Sequence, residues 1–392
     1  MTAHRDGRDA VSDSSPIRLG SPIDVVASAP YLLGFAPANS VVLVFFQQHS
    51  NLLVVTGRVD FPAVPADEGA VFAQCRQVFA SAQGAGATAV HTIVYPPPGA
   101  GQDRARTLGR RLCAMADAAD IAVFSSGVVM GNRWYDASEP DCPGVQFDPT
   151  TTTVAAGFVS RGVSYLPDRE ALRDLVVGPQ TELAGEARAA LMGREPLPGL
   201  PNATRSADRR AIEDAIISHL LAPNAADGKS CAEPMDPRTL ACWAIALADR
   251  RIREPVLRRM ASCIEQNSAE RLDEHWQQRA LDRLCWLVRN TPDEVAAPIS
   301  ATLAAVSWQA GNGALALIAA DHALMCDSTN NLADLVETAV GRGVPPSVWI
   351  SLLTSMTLAE LRSGRSPRRS TTAARSSQHG SVGNRTAGKW SA

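Results

Sequence analysis

Pro30-Tyr31-Leu32-Leu33-Gly34-Phe35-Ala36-Pro37-Ala38-Asn39-Ser40 leads directly into Val41-Val42-Leu43-Val44-Phe45-Phe46. Six consecutive Val, Leu and Phe residues, bounded by turn formers, read as a strand buried on both faces. A sheet with elements packed on both sides is the architecture such a strand demands, so the chain is read outward from Ser40–Phe46.

Upstream, Ser21-Pro22-Ile23-Asp24 is a helix start: Ser caps, Pro suits the first helical position and Asp can reach back. Pro30 is expected to end that helix by pushing Ala29 out of helical geometry. Ile17-Arg18-Leu19 reads as a short strand. Downstream, a short polar loop joins the organising strand to Leu52–Asp60, which predicts an antiparallel hairpin. Helices are then expected near 70–83 and 103–118, alternating with strands at 89–95 and 121–126. That alternation predicts parallel crossover units. Val128–Pro143 reads as a strand or hairpin followed by a loop carrying Cys142. Shorter helices are expected near 150–160, 168–177 and 181–192.

From Ser206 the pattern turns helical. Ile212, Ile216, Ile217, Leu220 and Leu221 make one apolar stripe, and Leu272, Trp276, Ala280, Leu284 and Val288 another. Further helices are expected near 237–250, 295–310, 314–326, 332–342 and 347–361. The fold class is therefore α/β plus all-α: an N-terminal mixed sheet with crossover helices, then an antiparallel helical bundle or short helical array. The expected organisation is a disordered segment at 1–14, an α/β domain at 15–193, a linker at 194–205, a helical domain at 206–361 and a disordered basic tail at 362–392. At 392 residues, two domains are the natural expectation.

Composition excludes several classes. Hydrophobic residues at 45% and charged residues at 20% are those of a globular chain, and a formal net charge of −3 gives no global attraction to nucleic acid or anionic membrane. Residues 1–14 have no apolar core for a signal peptide, and no apolar run approaches a membrane span, so a cytoplasmic protein without a membrane partner is expected. The 8 cysteines are scattered without a Cys-x-x-Cys pair.

Two resemblances follow from the motifs. The block at 30–40, with Gly57-Arg58-Val59-Asp60, Arg133-Trp134, Cys142-Pro143-Gly144 and Trp308, Gly311, Ala316, Ala323 and Leu324, resembles an actinobacterial family known as domain of unknown function 4192. The likeness spans about residues 17–360 and implies no activity or assigned residues. Members of that family carry further cysteines around Cys142; this chain has one, which counts against a metal site there. Residues 303–330 also resemble the second half of a tetratricopeptide repeat, with Ser328 where the closing Pro stands and Gly313 and Ala320 at its aromatic positions.

Chemistry is sparse. There is no phosphate loop: Gly84-Ala85-Gly86 precedes a strand, and Pro96-Pro97-Pro98 strips donors from the loop at Gly99-Ala100-Gly101. There is no Gly-x-Ser-x-Gly elbow. His219, His275 and His322 fall on separate helices and are expected to face solvent or to cap; no metal ligands and no cofactor are read. Geometry leaves one cleft. Ligands of open α/β sheets sit outside the carboxyl ends of strands, where Asp60, Tyr95, Arg133, Trp134 and Asp136 are expected to gather. Asp60 and Asp136 would act as bases or cation ligands, Arg133 would pair an anion and Trp134 would stack on a ring. Arg362, Arg365, Arg368, Arg369, Arg375, Arg385 and Lys389 in the tail would give at most weak nucleic-acid contact.

Two functions are expected to compete. One is a protein-interaction or scaffold module that binds a protein partner through its helical half. The other is a small-molecule-binding or hydrolytic α/β domain, which requires Asp60 and Arg133 on one face of the sheet.

Overall fold

The computed structural model describes residues 17, 19–48, 52–193, 205–223, 235–265 and 275–364. The segment 1–14, the expected linker apart from Arg205, and the tail from Arg365 onward lie outside these described residues, as does Leu272 of the second apolar stripe.

Ser21 caps α1 (Pro22–Leu33), its hydroxyl accepting from the Asp24 amide at 3.2 Å. The helix does not stop at Ala29. It runs through buried Pro30 and ends on Gly34, which takes φ 80°. Proline inside a helix costs about 3 kcal/mol, and burial of Val26, Ala29, Pro30 and Leu33 along one side outweighs it.

The next segments build one six-stranded sheet in the order β2-β1-β3-β4-β5-β6: β1 (Ser40–Gln47), β2 (Leu52–Asp60), β3 (Ala89–Tyr95), β4 (Ala122–Met130), β5 (Arg133–Asp136) and β6 (Val145–Gln146). The expected hairpin forms, with Ser40 opposite Asp60. β1 also pairs antiparallel with β3, and β3 pairs parallel with β4. β2 and β3 are thus parallel with β1 between them, so β2-to-β3 and β3-to-β4 are both crossovers stepping the same way across the sheet. Right-handed crossovers that step one way place their helices on one face. α2 (Glu68–Gly84) and α3 (Gln102–Ala118) accordingly bury Phe72, Cys75, Phe79, Leu108 and Leu112 against Val41, Leu43, Phe45, Val90 and Val94. β4 and β5 are a tight hairpin through Gly131-Asn132, with Val129 opposite Trp134.

The opposite face, carrying Val42, Val44, Ile93, Val129 and Trp134, is left for the rest of the chain. α1 lies there, followed by α4 (Thr153–Ser160), α5 (Arg169–Asp174) and α6 (Glu182–Met192). The helical half continues with α7 (Ser206–Leu221), α8 (Pro237–Ala246), α9 (Arg250–Glu265), α10 (Trp276–Arg289), α11 (Asp293–Gln309), α12 (Gly313–Cys326), α13 (Asn331–Gly341), α14 (Pro346–Ser355) and α15 (Leu358–Ser363). One apolar cluster runs from this sheet face through Leu172 and Ala187 to Ile216, Leu247, Leu284, Leu303 and Leu353. The Ser40–Phe46 strand is therefore the wall between two cores, as its unbroken apolar run requires.

Three elements differ from expectation. Ile17 and Leu19 are irregular rather than strand. α9, with Pro255 inside it, follows α8 after a short break at 247–249 where one helix ending near Arg250 was expected. The helix expected at 347–361 is two. Thr357 takes extended φ and ψ and makes a capping box with Glu360, restarting the chain as α15.

Candidate functional site

The five residues expected at the carboxyl ends of the strands are all near that end but do not converge. Ser40 links Asp60 on one side to Tyr95 on the other, and Trp134 continues the row opposite Val129. Tyr95 and Trp134 are buried in the same core. Burial pushes the Tyr95 phenol pKa up, so its hydroxyl stays protonated. The Trp134 indole packs directly against Gly127: a Cβ there would sit 2.0 Å from Nε1.

The charged members are elsewhere. Asp60 is exposed at the outer edge and paired with Arg58 at 2.8 Å. Arg133 pairs with Met130, which belongs to the core under α2 and α3. By strand alternation it points away from the face that Asp60, Tyr95 and Trp134 share. Its guanidinium donates to the Pro143 and Gly144 carbonyls at 2.9 and 3.2 Å. Four strand spacings separate Asp60 from Arg133, roughly 19 Å. Asp136 accepts from the Ser138 amide at 2.7 Å and from its hydroxyl, closing a turn. The structure buries Tyr95 and Trp134 in one core on either side of β4, and holds Asp60, Arg133 and Asp136 in three separate local contacts.

The opposite end of the sheet carries a different feature. Phe46, His91 and Phe124 cluster there, with centroids 5.0 Å apart for Phe46–His91 and 4.9 Å for Phe46–Phe124. Leu53 is opposite Phe46 in the register. Phe124 is 50% exposed, Leu53 48% and Leu52 63%. His91 Nδ1 lies 2.7 Å from the Ser125 hydroxyl, and burial lowers its pKa to about 4, so the ring is neutral at neutral pH. β2 is the edge strand, and among the described residues only β1 pairs with it.

A cavity of about 460 Å³ opens where the α5–α6 connection meets the junction of α10 and α11 and the end of α12; Gln180, Arg289, Asp293, His322 and Cys326 line it. Ligand atoms of Asp293, His322 and Cys326 all lie within 4.8 Å of one another. His322 and Cys326 share one face of α12 because they are four residues apart. His322 is buried, with Nδ1 2.9 Å from the Ser300 hydroxyl of α11 and Nε2 3.7 Å from Cys326 Sγ. The solvent-facing or capping role expected of this histidine is corrected: it sits on an inward stripe of a helix buried on most sides. Burial lowers the His322 pKa. The Cys326 thiol is pushed up to about 11, first by burial and then by Asp293 and Glu294. Gln180 Nε2 donates to Asp293 Oδ1 at 2.8 Å. A His-x-x-x-Cys spacing on a strongly helical segment was the available signal for this pair. Asp293, 29 residues earlier in the chain, could be joined to it only by the fold.

Arg362, expected in the basic tail, instead sits in the last turn of α15 and forks onto buried Glu213. The other tail cations lie outside the described residues. Among the described residues no helix is long and apolar enough to cross a membrane.

No curated protein and no solved structure matches the chain. One family model does, over residues 22–347, from the first residue of α1 to the second of α14. The match takes in the sheet, both of its faces and most of the helical half, and the chain accordingly belongs to the family described as a domain of unknown function (DUF4192).

Proposed function

We propose that the protein is an interaction module that assembles through the outer edge of β2, and that the first occupant of that edge is a second copy of the chain. The observation that supports this is a nine-residue edge strand that starts with exposed Leu52 and Leu53. Edge strands left bare are templates for pairing, and Lys, Pro or inward charges normally blunt them. Leu52–Asp60 has neither Lys nor Pro; its blunting features are a bulge at Val54 and the half-buried Arg58, whose charge Asp60 pairs at 2.8 Å. Antiparallel pairing of β2 with its own copy is self-complementary and closes as a two-fold dimer. Phe46, opposite Leu53 on the neighbouring strand, and Phe124, which packs on Phe46 from β4, extend the apolar area inward from the edge.

Sedimentation velocity of the full chain over a hundredfold concentration range tests this. A dimer that Leu53→Lys converts to monomer supports the reading; a monomer at every concentration overturns it. A second reading places a protein partner on the helical half, where Val348 and Leu352 share the outer face of α14 and are 58% and 51% exposed. Dissociation by Leu352→Lys but not by Leu53→Lys would favour that surface.

A further inference from the structure

Among the described residues, Asp293, His322 and Cys326 form the one group of three or more metal-ligating side chains close enough to share an ion. Each element contributes for a simple reason. α12 presents His322 and Cys326 four residues apart on one face, and α11, packed against it, begins with Asp293. With Zn–N and Zn–S bonds of about 2.0 and 2.3 Å, tetrahedral donors sit roughly 3.5 Å apart. The His322 Nε2 to Cys326 Sγ separation is 3.7 Å. We infer that Asp293, His322 and Cys326 form a binding site for a divalent transition-metal ion of the zinc class.

The surroundings fit that assignment. A ligating histidine fixes its metal-facing nitrogen by a hydrogen bond from the other one. Ser300 meets Nδ1 at 2.9 Å, leaving Nε2 toward Cys326. Gln180 steadies the Asp293 carboxylate at 2.8 Å. Cys326 ends α12, whose carboxyl-terminal dipole favours a cation. Glu294 also lines the cavity but is forked by Arg188 at 2.8 and 3.0 Å, which keeps it out of the donor set. The Arg289 guanidinium is drawn aside to the Pro179 carbonyl at 2.6 Å. One nitrogen, one sulfur and one oxygen donor suit zinc or cobalt and exclude magnesium and calcium, which take oxygen alone. Three protein donors leave the fourth tetrahedral position to solvent from the cavity.

The test is a Co²⁺ titration of the full chain, reduced and stripped of metal, followed by the thiolate-to-cobalt charge-transfer band and by competition with Zn²⁺. One ion per chain is expected. Cys326→Ser should abolish the band. Asp293→Ala should weaken binding at least tenfold, and because Asp293 is exposed its loss leaves the fold intact. Ser300→Ala, which removes only the positioning contact, should weaken binding about 10- to 100-fold. Metal-free far-ultraviolet circular dichroism confirms folding of each variant. No bound Co²⁺, or a band that survives Cys326→Ser with unchanged affinity, overturns the assignment.

Discussion

Arg362→Ala should destabilise the protein far more than a surface arginine does. Glu213 on α7 has a side chain only 1% exposed, and its two oxygens accept from Arg362 Nε and an Arg362 terminal nitrogen, each at 2.8 Å. Arg259 of α9 adds one bond at 3.2 Å and is shared with Asp214. Removing one partner of a buried ion pair costs about 3–5 kcal/mol, because the remaining charge stays desolvated. Arg362 keeps 22% of its side-chain exposure and Arg259 remains, so the expected loss is lower, about 2–3 kcal/mol. Glu213→Leu should cost less than Arg362→Ala: both arginines can turn to water, whereas the carboxylate cannot. Glu213→Leu combined with Arg362→Met should recover most of the stability. Urea unfolding at pH 7 reads all three, and Arg362→Met alone closes the double-mutant cycle that isolates the coupling. A loss below about 0.5 kcal/mol for Arg362→Ala, the range of an exposed pair, would refute the claim that α15 is stapled to α7 through a buried carboxylate.

Gly127→Ala should cost about 1–3 kcal/mol by overpacking, since the added methyl lands on the Trp134 indole; an unchanged urea midpoint would contradict that packing. His91 gives a pH signature. Its folded pKa of about 4 lies below the unfolded value near 6.5, so the unfolded chain binds the extra proton between them. Its contribution to stability is complete above about pH 6.5 and is lost as pH falls toward 4. The difference between wild type and His91→Gln, measured by urea unfolding from pH 4 to 7, should carry that slope, and parallel curves would contradict it.

How much of this was legible in the sequence depends on the range of the physics involved. The Ser40–Phe46 run, the hairpin, both crossover helices and the Ser21 cap are local, and periodicity and capping chemistry reveal them. Pro30 misleads because a local penalty is outweighed by burial that only the folded chain supplies. The break at Thr357 is written as a capping box but lies inside an otherwise continuous apolar pattern. The cleft failed for a geometric reason. Adjacent residues Arg133 and Trp134 must point to opposite faces of the sheet, and Asp60 ends an edge strand because β3 adds beside β1 rather than β2. The Asp293, His322 and Cys326 cluster was half visible, as a pair four residues apart on a helix, and needed the packing of α11 on α12 for its third member.

Amide hydrogen exchange across β2 at low and high protein concentration tests whether the edge of β2 docks a second copy. The β2 amides that point away from β1 should exchange quickly in dilute solution and become protected as concentration rises, with Leu53→Lys abolishing the protection. Fast exchange of those amides at every concentration would contradict it.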